Sequence, residues 1–566
     1  DAYGIPTEST CTQLYEACRQ LCEGVGGKLT VGQESLPAWE HTEPKFAEHA
    51  DRAATIPVNE EYKPADAVTA NNDLDDAGIR RLINDCAARC STLEAGARRY
   101  GLNRLVFVTA SVLAGGNATE ESFDTLRNTI VALADKLPPP EVNARVWITT
   151  VDVAIKEGRA NPRRRAGLRK YPLTAQGLAD LLVDEWRDHY RYVYLWKRWI
   201  RWNGLVWERV PETAHLLRDM VHILRWAQAE TMRDPDNKWK DAAFKWYYHC
   251  ENGEAPIKAE KLLRAMESTG MGLGINPQGL NVDPWIFACA NGYFDVRTGV
   301  LRSPCRTDYI TQCSSFNYIS AIPDDKFSDY APRFMRHLDW VFEPQGPEDG
   351  PRATAYLASW LGYALTGVNR EQKILIMHGD GNNGKSALLD VFHAVSGDYS
   401  AKLAKEVLIR QKNESKNSDE IAELEGRRWG FLSETEATEF LSESRIKSLT
   451  GTNTVRAMRK FQEAFFFEQR CKLLLDTNHR PRIHGKDKAT LRRLKLLPFH
   501  NVVTPAMRIG DWHAIVTRDE GHAVLTWLLR QAHQYHQTGS LAPEPACVAA
   551  AVEDFTVEND PIGLFL

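Results

Sequence analysis

The chain has 566 residues, 43% hydrophobic and 26% charged, a composition that supplies several apolar cores and excludes wholesale disorder or a fibrous class. At about 100 to 200 residues per domain, the length corresponds to about three to five folding units. The formal charge is −5, from 70 basic and 75 acidic residues, so any nucleic-acid contact must come from a local patch and not from the global field. No run approaches the roughly 20 apolar residues that cross a bilayer, and no signal-peptide pattern opens the chain. The cysteines, 11 of them scattered from Cys11 to Cys547, fit reduced thiols and a cytoplasmic compartment better than a disulfide framework. The chain opens on Asp1 instead of Met, which we read as the start of a piece of a longer product.

Residues 1–75 read as a short helical segment and a linker, with Pro37, Pro44, Pro57 and Pro64 interrupting acidic, Ala-rich stretches. Over 76–170 the apolar period becomes helical: Ile79, Leu82, Ile83 and Cys86 share one stripe, and Phe123, Leu126, Ile130 and Leu133 another. The basic run from Arg159 to Lys170 reads as a solvated connector, with DNA contact as the alternative. In 171–270 the block KRWIRWNGLVWERV sets Asn203-Gly204 between two alternating runs, the signature of a two-residue hairpin. Trp196, Trp199, Trp202 and Trp207 interleave with Arg198, Arg201 and Arg209. We read them as a small aromatic core in preference to a base-stacking surface. Helices are expected around 215–232 and 259–266, and a second hairpin block over 291–301, with Asn-Gly and Thr-Gly turns.

The most informative stretch begins at Lys373. The apolar run Ile374 to Met377 has strand length and leads into GDGNNGKS, Gly379, Asp380, Gly381, Asn382, Asn383, Gly384, Lys385 and Ser386, followed by a helical pattern. Strand, glycine-rich loop and helix form the P-loop context, in which backbone N–H groups and a helix N-terminus cradle phosphates. In that context Lys385 reaches the β and γ phosphates of ATP and the Ser386 hydroxyl ligates Mg²⁺. A metal-positioning acid is expected at the end of a neighbouring strand. RRWGFLS runs directly into Glu434 and Glu436, with Glu434 the candidate for polarising water and supporting Mg²⁺, and Glu436 its helper. A third strand in KLLLDTNHRP delivers Asn478, an amide suited to the γ-phosphate and the attacking water. Arg492 and Arg493 precede a further strand, LKLLPF, and are expected to reach a neighbouring subunit's nucleotide, Arg493 first.

These motifs, KILIMHGDGNNGKS, GRRWGFLSETE, IKSLTGTNTVRAMRKF, KLLLDTNHRPRI and DKATLRRLKLLPF, occur in an order that resembles the superfamily 3 helicases, in the poxvirus and phage/plasmid primase-helicase branch. NVDPWIFACANGYFDVRTG is similar to the segment that precedes the ATPase there. Leu491 departs from the Trp usual before the arginine pair. The resemblance implies an α/β fold: an AAA+ type P-loop ATPase over 366–505 and a C-terminal helical segment over 506–566. Before these it implies a family domain over 271–365, a Trp-rich α+β segment over 171–270 and a helical linker domain over 76–170, like the region after a primase-polymerase domain. It further implies a hexameric homo-oligomer that moves 3′ to 5′ on single-stranded or forked DNA in the cytoplasm of a bacterial host, with a primase-polymerase domain in the full-length product. The local charge agrees: residues 445–500 hold 14 Lys or Arg against 4 Asp or Glu. Where the family inserts its pore hairpin, Lys447, Arg456, Arg459, Lys460 and Phe461 are the DNA-binding candidates.

Weaker constellations are Cys18 with Cys22 and Cys86 with Cys90, read as helix-core thiols in preference to zinc ligands. His393 and His479 carry no specific signal, and Asp73 and Asp75 follow a linker instead of a strand. Rival readings are a P-loop ATPase that remodels protein or nucleoprotein complexes without strand separation, and a nucleic-acid scaffold with ATP as a structural ligand.

Overall fold

A computed structural model describes residues 76–91, 98–116, 118–133, 144–160, 167–211, 213–232, 234–252, 254–265, 273–410, 419–433, 439–451, 454–459, 464–483 and 487–558, all within one compact unit. The segment read over 1–75, with Cys18, Cys22, Asp73 and Asp75, lies outside the described residues. No described helix is long and apolar enough to cross a membrane.

Four helices come first: α1 Asp76–Ser91, α2 Arg98–Gly115, α3 Glu120–Val131 and α4 Ala144–Ala160. They bury Ile83, Leu126, Ile130 and Val151 in one core. Cys86 and Cys90 lie inside it with their sulfurs 4.0 Å apart. Both are buried among apolar side chains, as helix-core thiols are. In the basic connector Arg159 pairs with Glu120, Arg169 with Asp234 and Lys170 with Asp184. Those three cations are engaged within the chain, and Arg163, Arg164 and Arg165 lie outside the described residues.

The Trp-rich segment folds as α5 Ala175–Trp186, strands β1 Tyr190–Val193, β2 Arg198–Trp202 and β3 Trp207–Arg209, helices α6 Thr213–Thr231, α7 Asn237–Asn252 and α8 Ala255–Ala265, and β4 Gly274–Ile275. The sheet order is β3-β2-β1-β4. Trp199, Trp202 and Trp207 are buried, the aromatic core expected from the sequence, and the Trp199 indole donates to the buried Glu260 at 2.6 Å. The hairpin loop differs from expectation. Trp202 pairs with Trp207, so four residues connect the strands, and the Asn203 side chain accepts from Leu205 N and Val206 N, folding the loop on itself. Gly204 takes φ +89 beneath Asn103, where a Cβ would collide. Helix α7 was not anticipated from the sequence.

A meander of β5 Ile286–Cys289, β6 Gly292–Asp295 and β7 Val300–Arg302 confirms the second hairpin block, and helices α9 Phe327–Tyr330, α10 Pro332–Phe342 and α11 Gly346–Leu365 follow. The remainder is built on a five-stranded parallel sheet in the order β16-β8-β14-β10-β9, from β8 Ile374–His378, β9 Ser400–Leu403, β10 Trp429–Ser433, β14 Lys472–Thr477 and β16 Leu494–Pro498. Helix α12 Lys385–Ser396 follows β8, and the short α13 Asp419–Ala422 precedes β10. Between β10 and β14 come β11 Phe440–Leu441, α14 Glu443–Gly451 and the antiparallel hairpin β12 Thr454–Met458 with β13 Ala464–Glu468. β15 Arg482–Ile483 and α15 Lys488–Leu491 lead to β16, and α16 Trp512–Thr538 and α17 Ala546–Glu558 end the described chain.

Parallel strands are covered on both faces, which is why these strands are continuously apolar. Their alternation splits two cores. Leu375, Met377, Leu474 and Leu497 face α11, α12 and α16, while Ile376, Leu475 and Leu496 share a core with Ile446 and Leu449 of α14 and Phe555 of α17. The helices after residue 505 thus complete the sheet's two cores and do not form a separate layer.

Two cations are buried at the amino-terminal edge of this sheet. Arg428 donates to Leu365 O at 2.7 Å and to Ile286 O, above the Tyr399 ring; Lys472 donates to Thr366 O and to Arg470 O at 3.1 Å, near the Tyr363 ring. Burial holds Lys472 well below its ordinary pKa and lowers Arg428 to about 10. Replacing Arg428 with Met strands two buried carbonyls, and we expect a loss of about 2 kcal/mol after relief of the guanidinium's own desolvation. A urea midpoint equal to that of the parental chain would refute this.

Candidate functional site

β8 lies between β14 and β16, and the glycine-rich loop leaves its carboxyl end to enter α12 at Lys385. This is the strand, loop and helix arrangement expected. Gly384 adopts φ +79, and a Cβ there would lie 2.3 Å from a ring carbon of His337; a Cβ at Gly379 would lie 2.1 Å from Phe499 O. Both positions exclude larger residues by contact. Asn383 is buried and ties the loop to itself and to the end of β16, donating to Asp380 O at 2.6 Å and Phe499 O at 3.4 Å. Val503 N donates to Asn382 O at 2.7 Å, fastening the loop from the far side of β16.

Lys385 is buried, and its ammonium donates to Gly379 O at 2.8 Å, Asn383 Oδ1 at 2.9 Å and Asn478 Oδ1 at 3.2 Å, with the Asp476 carboxylate 3.8 Å away. Burial lowers its pKa, opposed by Asp476 and Asp380. The Ser386 hydroxyl donates to Asp476 Oδ2 at 2.6 Å. The structure therefore brings Lys385, Ser386 and Asn478 together as expected, and adds Asp476. Asp476 lies on β14 and Asn478 in the bend that follows its end, and both side chains reach the head of α12. An acid ending the apolar run KLLL, two residues before the candidate amide, was the signal for it.

β10 reaches the same edge, with Ser433 paired to Asp476, but Glu434 and Glu436 lie outside the described residues. At the strand end of β8, burial, Arg480 and Lys385 push the His378 imidazole down to about 4, so it adds no charge at neutral pH. His393 bonds Ser400 Oγ at 2.7 Å and packs on Phe431, a core residue.

The two arginines of the pair differ in their settings. Arg493 is buried: its Nε donates to Thr450 Oγ1 at 3.0 Å and its guanidinium also reaches Ala489 O, joining α15 to α14 within one subunit. Arg492 is exposed at the end of α15. Of the two guanidiniums Arg492 is the exposed one, since Arg493 and Leu494, at the start of β16, are both drawn into the core.

Of the DNA-binding candidates, Lys447 lies on α14 in an ion pair with Asp487, and Arg459 pairs with Glu425 and stacks on Phe465 at 4.6 Å. Lys460 and Phe461 lie outside the described residues. Arg456 is exposed on the outer face of the β12–β13 hairpin, directly opposite Phe466, which is 63% exposed, with Met458 beside them. Phe466 was not foreseen. Strand alternation in AFFFE turns its middle Phe outward, and that was its signal.

Comparison with known proteins gives two family matches, "D5 N terminal like" over residues 179–343 and a family of unknown function (DUF5906) over 377–493. A protein of Acanthamoeba polyphaga mimivirus named as a helicase, L207/L206, is 28% identical over 223 residues, covering 39% of this chain and 22% of its own length. A protein of African swine fever virus named as a primase, C962R, is 30% identical over 221 residues, covering 38% of this chain and 22% of its own. The chain thus spans about a fifth of the length of these relatives. Among solved structures, "The apo structure of NrS-1 C terminal region (305-718)" aligns with a TM-score of 0.39 at 11% identity, covering 67% of this chain and 75% of that one. The chain is thus similar to the D5-like primase-helicases in its D5 N-terminal-like segment and in its helicase- and primase-named relatives.

Proposed function

We propose that the chain is an ATP-driven replicative DNA helicase of superfamily 3, whose sheet is an AAA+ type P-loop core working as a hexameric ring that moves 3′ to 5′ along one strand of forked DNA. The observation that carries this reading is the meeting of Lys385, Asn383, Asn478, Asp476 and Ser386 at the head of α12. Lys385 is satisfied by carbonyl and amide oxygens that a bound phosphate can replace, and its fixed charge then faces the β and γ phosphates. The oxygen donors at Ser386 and Asp476 suit Mg²⁺, which binds through one or two protein oxygens plus phosphate and water. Mg²⁺, when bound, offsets the phosphate charge. Asn478 orients the attacking water, Glu434 polarises it and supports the metal, and Glu436 assists. Arg456 and Phe466 offer a cation and a ring to the strand that the ring encloses, the pairing that favours DNA over a protein substrate.

Turnover of ATP with and without single-stranded DNA tests the reading. Lys385→Ala should reduce turnover by about 10²-fold or more, the scale of removing one preorganised charge from a reacting group. Glu434→Gln should keep nucleotide binding and lose hydrolysis, and Asp476→Asn should raise the Mg²⁺ concentration needed for half-maximal rate. Near-parental hydrolysis by Glu434→Gln would transfer its role to Glu436, and turnover indifferent to DNA would favour a protein-remodelling ATPase.

For the ring, an Arg492→Ala chain and a Lys385→Ala chain are damaged on opposite sides of one interface. Mixed, they should recover part of a loss expected at about 10³ to 10⁵-fold for such an arginine. Arg493→Ala should instead lower the melting temperature, with a smaller effect on turnover. No recovery in mixtures that sediment as mixed oligomers would overturn the contribution in trans.

A further inference from the structure

The Trp-rich sheet and the P-loop core meet along the segment 306–313. Trp207 N of β3 donates to Ile310 O at 2.7 Å, while two residues on the Gln312 side chain donates to Gly426 O at 2.7 Å and Asp398 O at 3.1 Å. Arg427, next in the chain, also donates to Asp398 O, and Glu425 holds Arg459 from the tip of the β12–β13 hairpin. On the other side, Arg198 opens β2 and Arg209 closes β3, at the same end of the antiparallel pair, both exposed. The Arg209 guanidinium lies 4.9 Å above the Trp196 ring, and the buried Trp196 indole N–H has no acceptor among the described residues. Arg198 and Arg209 thus share one end of the β2–β3 pair, and the contacts of Ile310 and Gln312 bring that sheet to the 425–427 turn, which carries Arg427 and pairs with Arg459 through Glu425. Partial burial and the positive field of Arg459, Arg198 and Arg427, only partly offset by Glu425, hold Arg209 below its ordinary pKa.

We propose that Arg198 and Arg209, with Arg427 and Arg459, form a second contact for the phosphate backbone of single-stranded nucleic acid, continuing the path from the hairpin face of Arg456 and Phe466 onto the Trp-rich sheet. This rests on the helicase reading and extends it to a part of the chain to which that reading gives no role. Like charges set near one another are stabilised by an anion that can touch several at once. A polyphosphate chain does so at regular spacing, and a guanidinium laid on an indole adds a flat apolar plate where sugars or bases rest. An acidic protein segment offers carboxylates without that spacing or stacking.

The test is the affinity of the intact chain for a fluorescent oligothymidylate, measured against salt concentration, for the parental chain, R198A/R209A, R198K/R209K and R201A. Arg201 is held by Glu208 and serves as the control. At about −0.7 in log-log slope per phosphate contact on single strands, losing two contacts should flatten the slope by about 1.4 and weaken binding near 0.1 M salt by roughly 25-fold. R198K/R209K should restore the slope, because the charges return, and R201A should match the parental chain. Parental affinity and slope in R198A/R209A would overturn the inference while leaving the helicase reading intact. A parental chain that binds no oligonucleotide would overturn that reading and the inference with it. Loss of polyglutamate binding with oligothymidylate binding unchanged would assign the cluster to an acidic protein. If R198A/R209A fails to fold, R198K/R209K against R198Q/R209Q makes the same comparison at constant side-chain volume.

Discussion

An ammonium group buried at the carboxyl end of a parallel sheet sets the terms for everything around it. Lys385 has few routes to water, so its three protons must be met by oxygens of the chain itself, and Gly379 O, Asn383 Oδ1 and Asn478 Oδ1 supply them. Each of these comes from a different place: the end of β8, the loop and the end of β14. The register of β14 against β8 is therefore tied to the site, since a slip of one residue would turn Asp476 to the opposite face. The glycines at 379 and 384 answer the same constraint from the backbone side, allowing the loop to pass against Phe499 and His337.

The glycine-rich loop and the strands on either side of it were legible in the sequence because their signals are local. Apolar runs of strand length, a loop of glycines and a helical period sit next to one another in the chain. The aromatic core of the Trp-rich block was legible for the same reason. Asp476 escaped because its role depends on β14 lying beside β8, an adjacency between residues ninety positions apart from Ser386 that no local pattern encodes. The inversion of Arg492 and Arg493 escaped likewise, since which of two adjacent arginines turns inward depends on Thr450 standing one helix away. Helix α7, NKWKDAAFKWYYHCEN, mixes aromatic and charged residues so evenly that its buried stripe of Ala243, Tyr247 and Cys250 emerges only against α6.

The D5 N-terminal-like segment and the sheet are joined by more than a peptide link. Arg428 reaches both β5 and the end of α11, Tyr399 Oη accepts from Ala288 N at 2.9 Å, and Glu520 of α16 accepts from Arg333 N and Phe334 N at the start of α10. Three polar anchors of this kind, each buried and each closing a backbone group that water cannot reach, set the two parts in one orientation more strictly than apolar contact alone would.

Helix α14 lies between β11 and the hairpin in the chain, and two of its side-chain attachments run to α15. Thr450 receives Arg493, and Lys447 pairs with the same Asp487 that caps α15 through Ala489 N and Thr490 Oγ1. The hairpin strand β12 begins three residues after α14 ends. Arg492, at the end of α15, is therefore held to α14 through its neighbours, so that under the proposed ring reading a phosphate meeting its guanidinium would act on α14 as well as on α15.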